Sequence, residues 1–188
     1  MINDNSENVE FATSQDIGEM VAICATQLVA NREGDNAQNM GKSGFLIVEL
    51  TKDQAKDIIN DSKDSLALIL KRDDEILGYL TAFDIKKTED EFRQKVFSVP
   101  QLQKFGKKIF YYNQIAKKPN SKNVGKKLTL AMVDEAKKRG YSCIICKIVH
   151  KPFRNEASIA FHEKLGFKCI EEIDKGGYLC GIYWKEVL

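Results

Sequence analysis

The chain has little of what would staple it, anchor it or charge it strongly. Its 188 residues include five cysteines, three prolines, two histidines and one tryptophan, and the formal net charge is only +2. The cysteines, at positions 24, 143, 146, 169 and 180, are an odd and scattered set, which excludes a disulfide framework as the organising device. Cys143 and Cys146 form a C-x-x-C inside a stretch of strand composition, where residues three apart face opposite sides and do not easily share a metal. No second cysteine or histidine pair completes a zinc site, so no metal is expected. With 29 basic against 27 acidic side chains, the charge is too balanced to demand nucleic acid or a membrane surface. No apolar run is long enough to cross a bilayer, and residues 1–8 (MINDNSEN) are polar, expected to be disordered, and unlike a signal peptide. A cytoplasmic protein is expected. Repeats, low-complexity segments and domain linkers are absent too, and a 43% hydrophobic composition suffices for one domain with a substantial core.

What the chain does have is concentrated in residues 108–167. Residues 108–116 (KIFYYNQIA) are aromatic and β-branched, as a strand requires, and 117–125 (KKPNSKNVG) carry the Pro, Asn and Ser of a loop. A helix is expected next, because Val124, Leu128, Met132 and Ala136 recur every four residues and Gly140 suits the left-handed residue that ends a helix. Residues 142–150 (SCIICKIVH) return to strand composition, and two strands joined by such a helix should lie parallel. The loop then opens at the carboxyl end of a strand, where α/β folds bind ligands. The exposed N–H groups of the helix start, with Lys117, Lys118, Lys122, Lys126 and Lys127 around them, point to an anion and most simply to phosphate. Gly125 permits close backbone approach, and Asn123 tolerates a left-handed turn. A second helix over 155–165 (NEASIAFHEKL) places Asn155, Ser158 and His162 on one face and ends at Gly166.

The flanks read as scaffold. Strands are expected over 9–13, 65–71, 76–85, 168–173 and 178–187, the last two joined through a Gly176-Gly177 turn. Ser14 is placed to cap a helix through about residue 29, and Thr51 with Gln54 reads as a capping box for a helix through residue 60. Residues 31–44 read as a polar loop; Gly41-Lys42-Ser43 echoes the end of a P-loop, but position 36 is Asn where the motif needs glycine. The segment 86–107 has room for a short helix and reads either as a wall of a substrate site or as a patch over the core. The sum is an α/β single domain with a mixed, mostly antiparallel sheet flanked by helices.

Ile115-Ala116-Lys117-Lys118-Pro119, Asn123-Val124-Gly125-Lys126-Lys127-Leu128, Lys138-Arg139-Gly140 and the block from Asn155 to Phe167 (NEASIAFHEKLGF) resemble, in order and spacing, the acetyl-CoA-binding half of GNAT-type N-acetyltransferases. The last block is the most specific. The resemblance implies that backbone at Ile115, Ala116 and Lys117 bonds the pantetheine arm and that Lys122, Asn123, Val124, Gly125, Lys126 and Lys127 cradle the pyrophosphate. It also implies that Asn155 and His162 face the thioester of acetyl-CoA. This loop keeps one glycine, has Asn123 at the family's first glycine position and is two residues shorter, and His162 stands where a tyrosine is usual.

Acyl transfer from a thioester needs a neutral attacking amine and stabilisation of the oxyanion and departing thiolate. With a thiol near ~8.5 and an imidazole near ~6.5, a positioned histidine can hand a proton to the sulfur. His162 is therefore the expected catalytic group, set against a helix histidine satisfied by a backbone carbonyl. Residues 108–116 contain no carboxylate to serve as general base; Tyr112 and Gln114 share a face by alternation and are placed to shape the acceptor pocket. The reading is an acetyl-CoA-dependent N-acyltransferase acting on an unidentified amine, with a homodimer left open. Two rivals are a GNAT-like binder of CoA without turnover and a nucleic-acid or ribosome-binding protein using the lysine cluster.

Overall fold

The computed structural model describes residues 7–32 and 37–187. Its strands are β1 (Glu7–Phe11), β2 (Ser65–Arg72), β3 (Glu75–Asp84), β4 (Ile109–Lys117), β5 (Cys143–Lys151), β6 (Lys168–Lys175) and β7 (Tyr178–Glu186). They form one seven-stranded sheet in the order β1-β2-β3-β4-β5-β7-β6. Every neighbouring pair is antiparallel except β4 and β5, which run parallel as the intervening helix requires. The mixed, mostly antiparallel α/β sheet expected from the sequence is the one that forms. Positive φ at Gly176 (58°) and Gly177 (86°) closes the β6–β7 hairpin.

The helices are α1 (Ile17–Gln27), α2 (Ala37–Ser43), α3 (Lys52–Asn60), α4 (Asp90–Ser98), α5 (Pro100–Gln103), α6 (Val124–Lys138) and α7 (Glu156–Lys164). On one face of the sheet α6 buries Val124, Leu128, Met132 and Ala136 completely against Leu80, Phe110 and Ile144. Burial of the three larger chains is worth about 1.5–3 kcal/mol each. The helix ends as its glycine foretells: Gly140 has φ +78°, Gly140 N donates to Lys137 O (2.9 Å) and Tyr141 N to Ala136 O (3.0 Å). On the opposite face α1 and α3 cover β2 to β4 through Met20, Ile23 and Ala55, and α4 with α5 cover β4, β5 and β7 through Phe92, Val96 and Leu102. Cys143 belongs to this second face and Cys146 to the first, the opposite-facing pair that strand alternation dictates. No helix among the described residues is long and apolar enough to cross a membrane.

Several boundaries differ from the sequence reading. β1 starts at Glu7 rather than Val9, since Glu7 and Asn8 pair with Arg72 and Lys71 of β2; residues 1–6 of the expected disordered end lie outside the described residues. The first helical turn is organised by Thr13, not Ser14: Thr13 N and Oγ1 both donate to Asp16 Oδ2 at 2.7 Å. The polar stretch 31–44 contains α2, with residues 33–36 outside the described residues. Tertiary packing forms that helix: Met40 is buried with Phe45, Val149 and Cys180, and a Cβ on Gly41 would stand 2.4 Å from Arg154 O. The Thr51–Gln54 capping box of α3 is present as read. The segment 86–107 holds α4 and α5, and its Phe92 both joins the core and walls the cleft described next.

Candidate active site

The site begins with an irregularity in β4. Opposite β3, Thr81 pairs with Gln114 and Ala82 with Tyr112, so Asn113 is an extra residue bulged out of the ladder. Pairing with β5 stops at Tyr111↔Ile145, immediately before the bulge. Beyond it the two parallel strands part, and a cleft of about 1090 Å³ opens between them. The bulge also corrects the expected alternation. Tyr112 points toward α6, its hydroxyl 3.0 Å from Thr129 Oγ1, whereas Gln114 points toward α1, accepting from Tyr79 Oη at 2.8 Å and donating to Val48 O at 2.6 Å. These two side chains do not share a face, because one inserted residue inverts the parity of a period-two strand.

From Tyr111 to Lys117 the strand runs about 20 Å along the cleft. At the Lys117 end lies the start of α6. Asn123 adopts the left-handed conformation (φ 59°, ψ 0°), no side chain caps the helix, and the first backbone bond into it is Lys127 N to Asn123 O at 3.0 Å. Val124, Gly125 and Lys126, whose N–H groups precede that bond, line the cleft, an arrangement suited to an anion. Gly125 has a second reason to lack a side chain: a Cβ there would meet Phe161 of α7 at 3.2 and 3.3 Å.

The lysine cluster divides when folded. Lys117 and Lys126 line the cleft, joined by Lys164 of α7. Lys127 is turned away to Glu7 (3.0 Å), and Lys118 bridges Glu19 (2.7 Å) and Glu75 (3.0 Å). Lys122 and Lys127 are not among the cleft-lining residues, so of the positions expected to hold pyrophosphate the structure brings together Asn123, Val124, Gly125 and Lys126. Ile115, Ala116 and Lys117 line the cleft as well.

At the middle of the cleft, Asn155 and His162 are 5% and 4% exposed. Asn155 caps α7, its Oδ1 accepting from Ser158 N (3.2 Å), while Nδ2 donates to Phe45 O (3.0 Å). Both ends of the amide are thus committed to holding the segment over the cleft. His162 donates from Nδ1 to Ser158 O, four residues back, at 2.7 Å, which leaves Nε2 as a lone-pair acceptor. Its ring packs among Tyr112, Phe161 and Phe167 with centroids 5.1–5.3 Å away. Burial pushes the imidazole down to about 4 from its ordinary 6.5. Burial thus disfavours the protonated imidazole, and the Nδ1–H bond to Ser158 O is that of the carbonyl-satisfied helix histidine set against the catalytic reading.

The Tyr111 end is walled by Phe83, Phe92 and Tyr111, and holds a residue that the sequence reading passed over. Lys147 of β5 follows Cys143 and Ile145 on the inward face, where a charge breaks the apolar alternation; that break is the signal that could have found it. Its Nζ stands 4.4 Å from the Phe92 ring centroid and 5.6 Å from that of Tyr111. Burial lowers its pKa, and the charge of Lys175 acts in the same direction.

A sequence profile of the acetyltransferase (GNAT) family matches residues 42–167, and no curated protein sequence matches the chain. Among solved structures, the chain is similar to yncA, a putative acetyltransferase from Salmonella typhimurium with its cofactor acetyl-CoA (17% identity, 96% of this chain and 94% of that one, TM-score 0.65). It is similar as well to the PaiA N-acetyltransferase of Thermoplasma acidophilum in complex with coenzyme A (17%, 96% and 99%, 0.65). A third is the ribosomal-protein-S18-alanine N-acetyltransferase of Escherichia coli (13%, 97% and 94%, 0.63). At these identities the likeness is one of fold.

Proposed function

The chain belongs to the GNAT acetyltransferase family, and from that premise we propose that it transfers an acetyl group from acetyl-CoA to a primary amine by direct attack. The observation that carries this reading is the uncapped start of α6, whose first three residues, Val124, Gly125 and Lys126, line a cleft that leads to the parting of β4 and β5. The two relatives whose structures contain acetyl-CoA and coenzyme A support the same donor here.

The pyrophosphate is assigned to the N–H groups of Val124, Gly125 and Lys126, with Lys126 and Lys117 supplying charge. The edge of β4 at Ile115–Lys117, left without a strand partner where β5 diverges, offers backbone groups to the amides of the pantetheine arm. Asn113, outside the β3 ladder where β4 and β5 part, is assigned as the N–H donor toward the thioester oxygen, where negative charge develops during attack. In the transfer the amine nitrogen forms a bond to the acyl carbon, the C–S bond breaks, and the proton lost by the amine ends on the thiolate by way of solvent. His162, bonded to Ser158 and packed on Tyr112, Phe161 and Phe167, is assigned as a neutral wall of the thioester end of the cleft rather than as the proton donor. Asn155 contributes by holding Phe45 across the cleft.

The test is titration with acetyl-CoA, CoA and an RNA oligonucleotide, followed by thiol release over a panel of amines. The proposal expects micromolar binding of both CoA compounds, none of RNA, and amine-dependent thiol release. CoA binding without release over a broad panel would favour a non-catalytic binder. The pairing of Lys118 and Lys127 with carboxylates speaks against the nucleic-acid alternative.

A further inference from the structure

Resting on the acetyl-transfer reading above, we propose that the acceptor is an amino acid or related amine with an apolar side group and a free carboxylate, and that Lys147 receives the carboxylate. Lys147 lines the cleft, and among the described residues no carboxylate stands within ion-pairing distance of it. The other cations that line this end of the cleft are already matched: Lys87 with Asp61 and Lys175 with Glu89. Glu89, the acidic group of this end of the cleft, is therefore held by Lys175. Glu89 acts on the Lys147 ammonium only through space; the close contacts of that ammonium are two aromatic faces, Phe92 and Tyr111, which attract a cation but accept no hydrogen bond of carboxylate strength.

The position suits a ligand that spans the parting strands. β4 and β5 last pair at Tyr111↔Ile145, so Lys147 stands two residues beyond, level with the bulged Asn113. It lies on the α4 face of the sheet, whereas Tyr112 and His162 pack on the α6 face. An acceptor whose carboxylate meets Lys147 extends its amine toward Asn113 and the thioester and rests its side group on Phe83, Phe92 and Tyr111. Burial and Lys175 hold the ammonium below the usual lysine range, and a bound carboxylate would restore it. The cost of leaving this cation unmatched is thus relieved by substrate.

The experiment compares phenylalanine, phenylalanine amide and phenethylamine as acceptors by thiol release from acetyl-CoA, in the wild type, Lys147→Met and Lys147→Arg. In the wild type, kcat/KM is expected to favour the carboxylate by about tenfold or more; Lys147→Met removes the preference and Lys147→Arg retains most of it. Binding of N-acetylphenylalanine against its amide, measured by calorimetry without turnover, should show the same ranking. Equal or better use of the amide by the wild type overturns the proposal even if Lys147→Met fails to fold. Preference retained in a folded Lys147→Met protein does so too. A Lys147→Met effect confined to succinyl-CoA against acetyl-CoA would assign the anion to the acyl chain and also overturn it. CoA binding is followed on the same samples: its loss would retract the acetyl-transfer reading itself, whereas CoA binding with amide-preferring turnover refutes the carboxylate alone.

Discussion

Replacing His162 with Phe separates a packed histidine from a proton donor by both stability and rate. The ring is 4% exposed, its Nδ1–H is taken by Ser158 O, and burial holds it neutral down to about 4 rather than 6.5. Above pH 6.5 the folded and unfolded chains both keep this imidazole neutral. As pH falls below 6.5 the unfolded chain takes up a proton that the folded chain refuses until about 4, so stability is lost across that window. At about 1.4 kcal/mol per decade, the loss by pH 4.5 is about 2–3 kcal/mol. His162→Phe lacks the group and should escape this loss, while every carboxylate contributes equally to both proteins. Urea unfolding of wild type and variant at pH 7.5 and 4.5 gives the number as a difference of differences. Turnover at neutral pH should fall by less than about tenfold, because an acid catalyst, typically worth about 10²–10⁴, is not being removed. Identical pH dependence of stability in the two proteins would mean that the ring is free to protonate in the fold. A hundredfold loss of kcat with unchanged acetyl-CoA affinity would return His162 to the chemistry.

Gly125→Val should abolish acetyl-CoA binding and lower stability by about 1–3 kcal/mol, since the added carbons meet Phe161 as well as the ligand; calorimetry and melting read the two effects separately. Lys126→Ala should weaken CoA more than a pantetheine fragment, whereas Lys127→Ala should leave both affinities unchanged and cost at most about 1 kcal/mol, since Lys127 is itself exposed and its partner Glu7 keeps Arg72. Gln114→Leu should destabilise the fold by about 1–3 kcal/mol by leaving Tyr79 Oη and Val48 O with only the weak Cys24 thiol as partner; an unchanged denaturation midpoint would show that water replaces the amide.

The elements whose residues speak for themselves were legible in the sequence. The four-residue recurrence in α6, the double-glycine hairpin and the Thr51–Gln54 box are local signals, and each is where it was read. What escaped depends on contacts between distant segments. α2 forms because Met40 and Gly41 pack on β5 and on Arg154, which no window around residue 40 contains. The lysines at 117–127 read as one patch, yet Glu7, 120 residues from Lys127 in sequence, decides which side of the helix start that ammonium serves. A bulge is invisible to a period-two pattern, so Tyr112 and Gln114 were given one face where the structure gives them two. Asn155 and His162, singled out by the motif, both line the cleft, but their hydrogen bonds to Phe45 O and Ser158 O depend on folded contacts that the motif does not encode.

The account turns on the start of α6 being the phosphate site of a CoA thioester, and a crystal structure of the protein with CoA tests this directly. The pyrophosphate oxygens are predicted within about 2.7–3.2 Å of the N–H groups of Val124, Gly125 and Lys126, with the sulfur at the parting of β4 and β5 beside Asn113. CoA bound elsewhere, or a cleft left empty at saturating CoA, would contradict it.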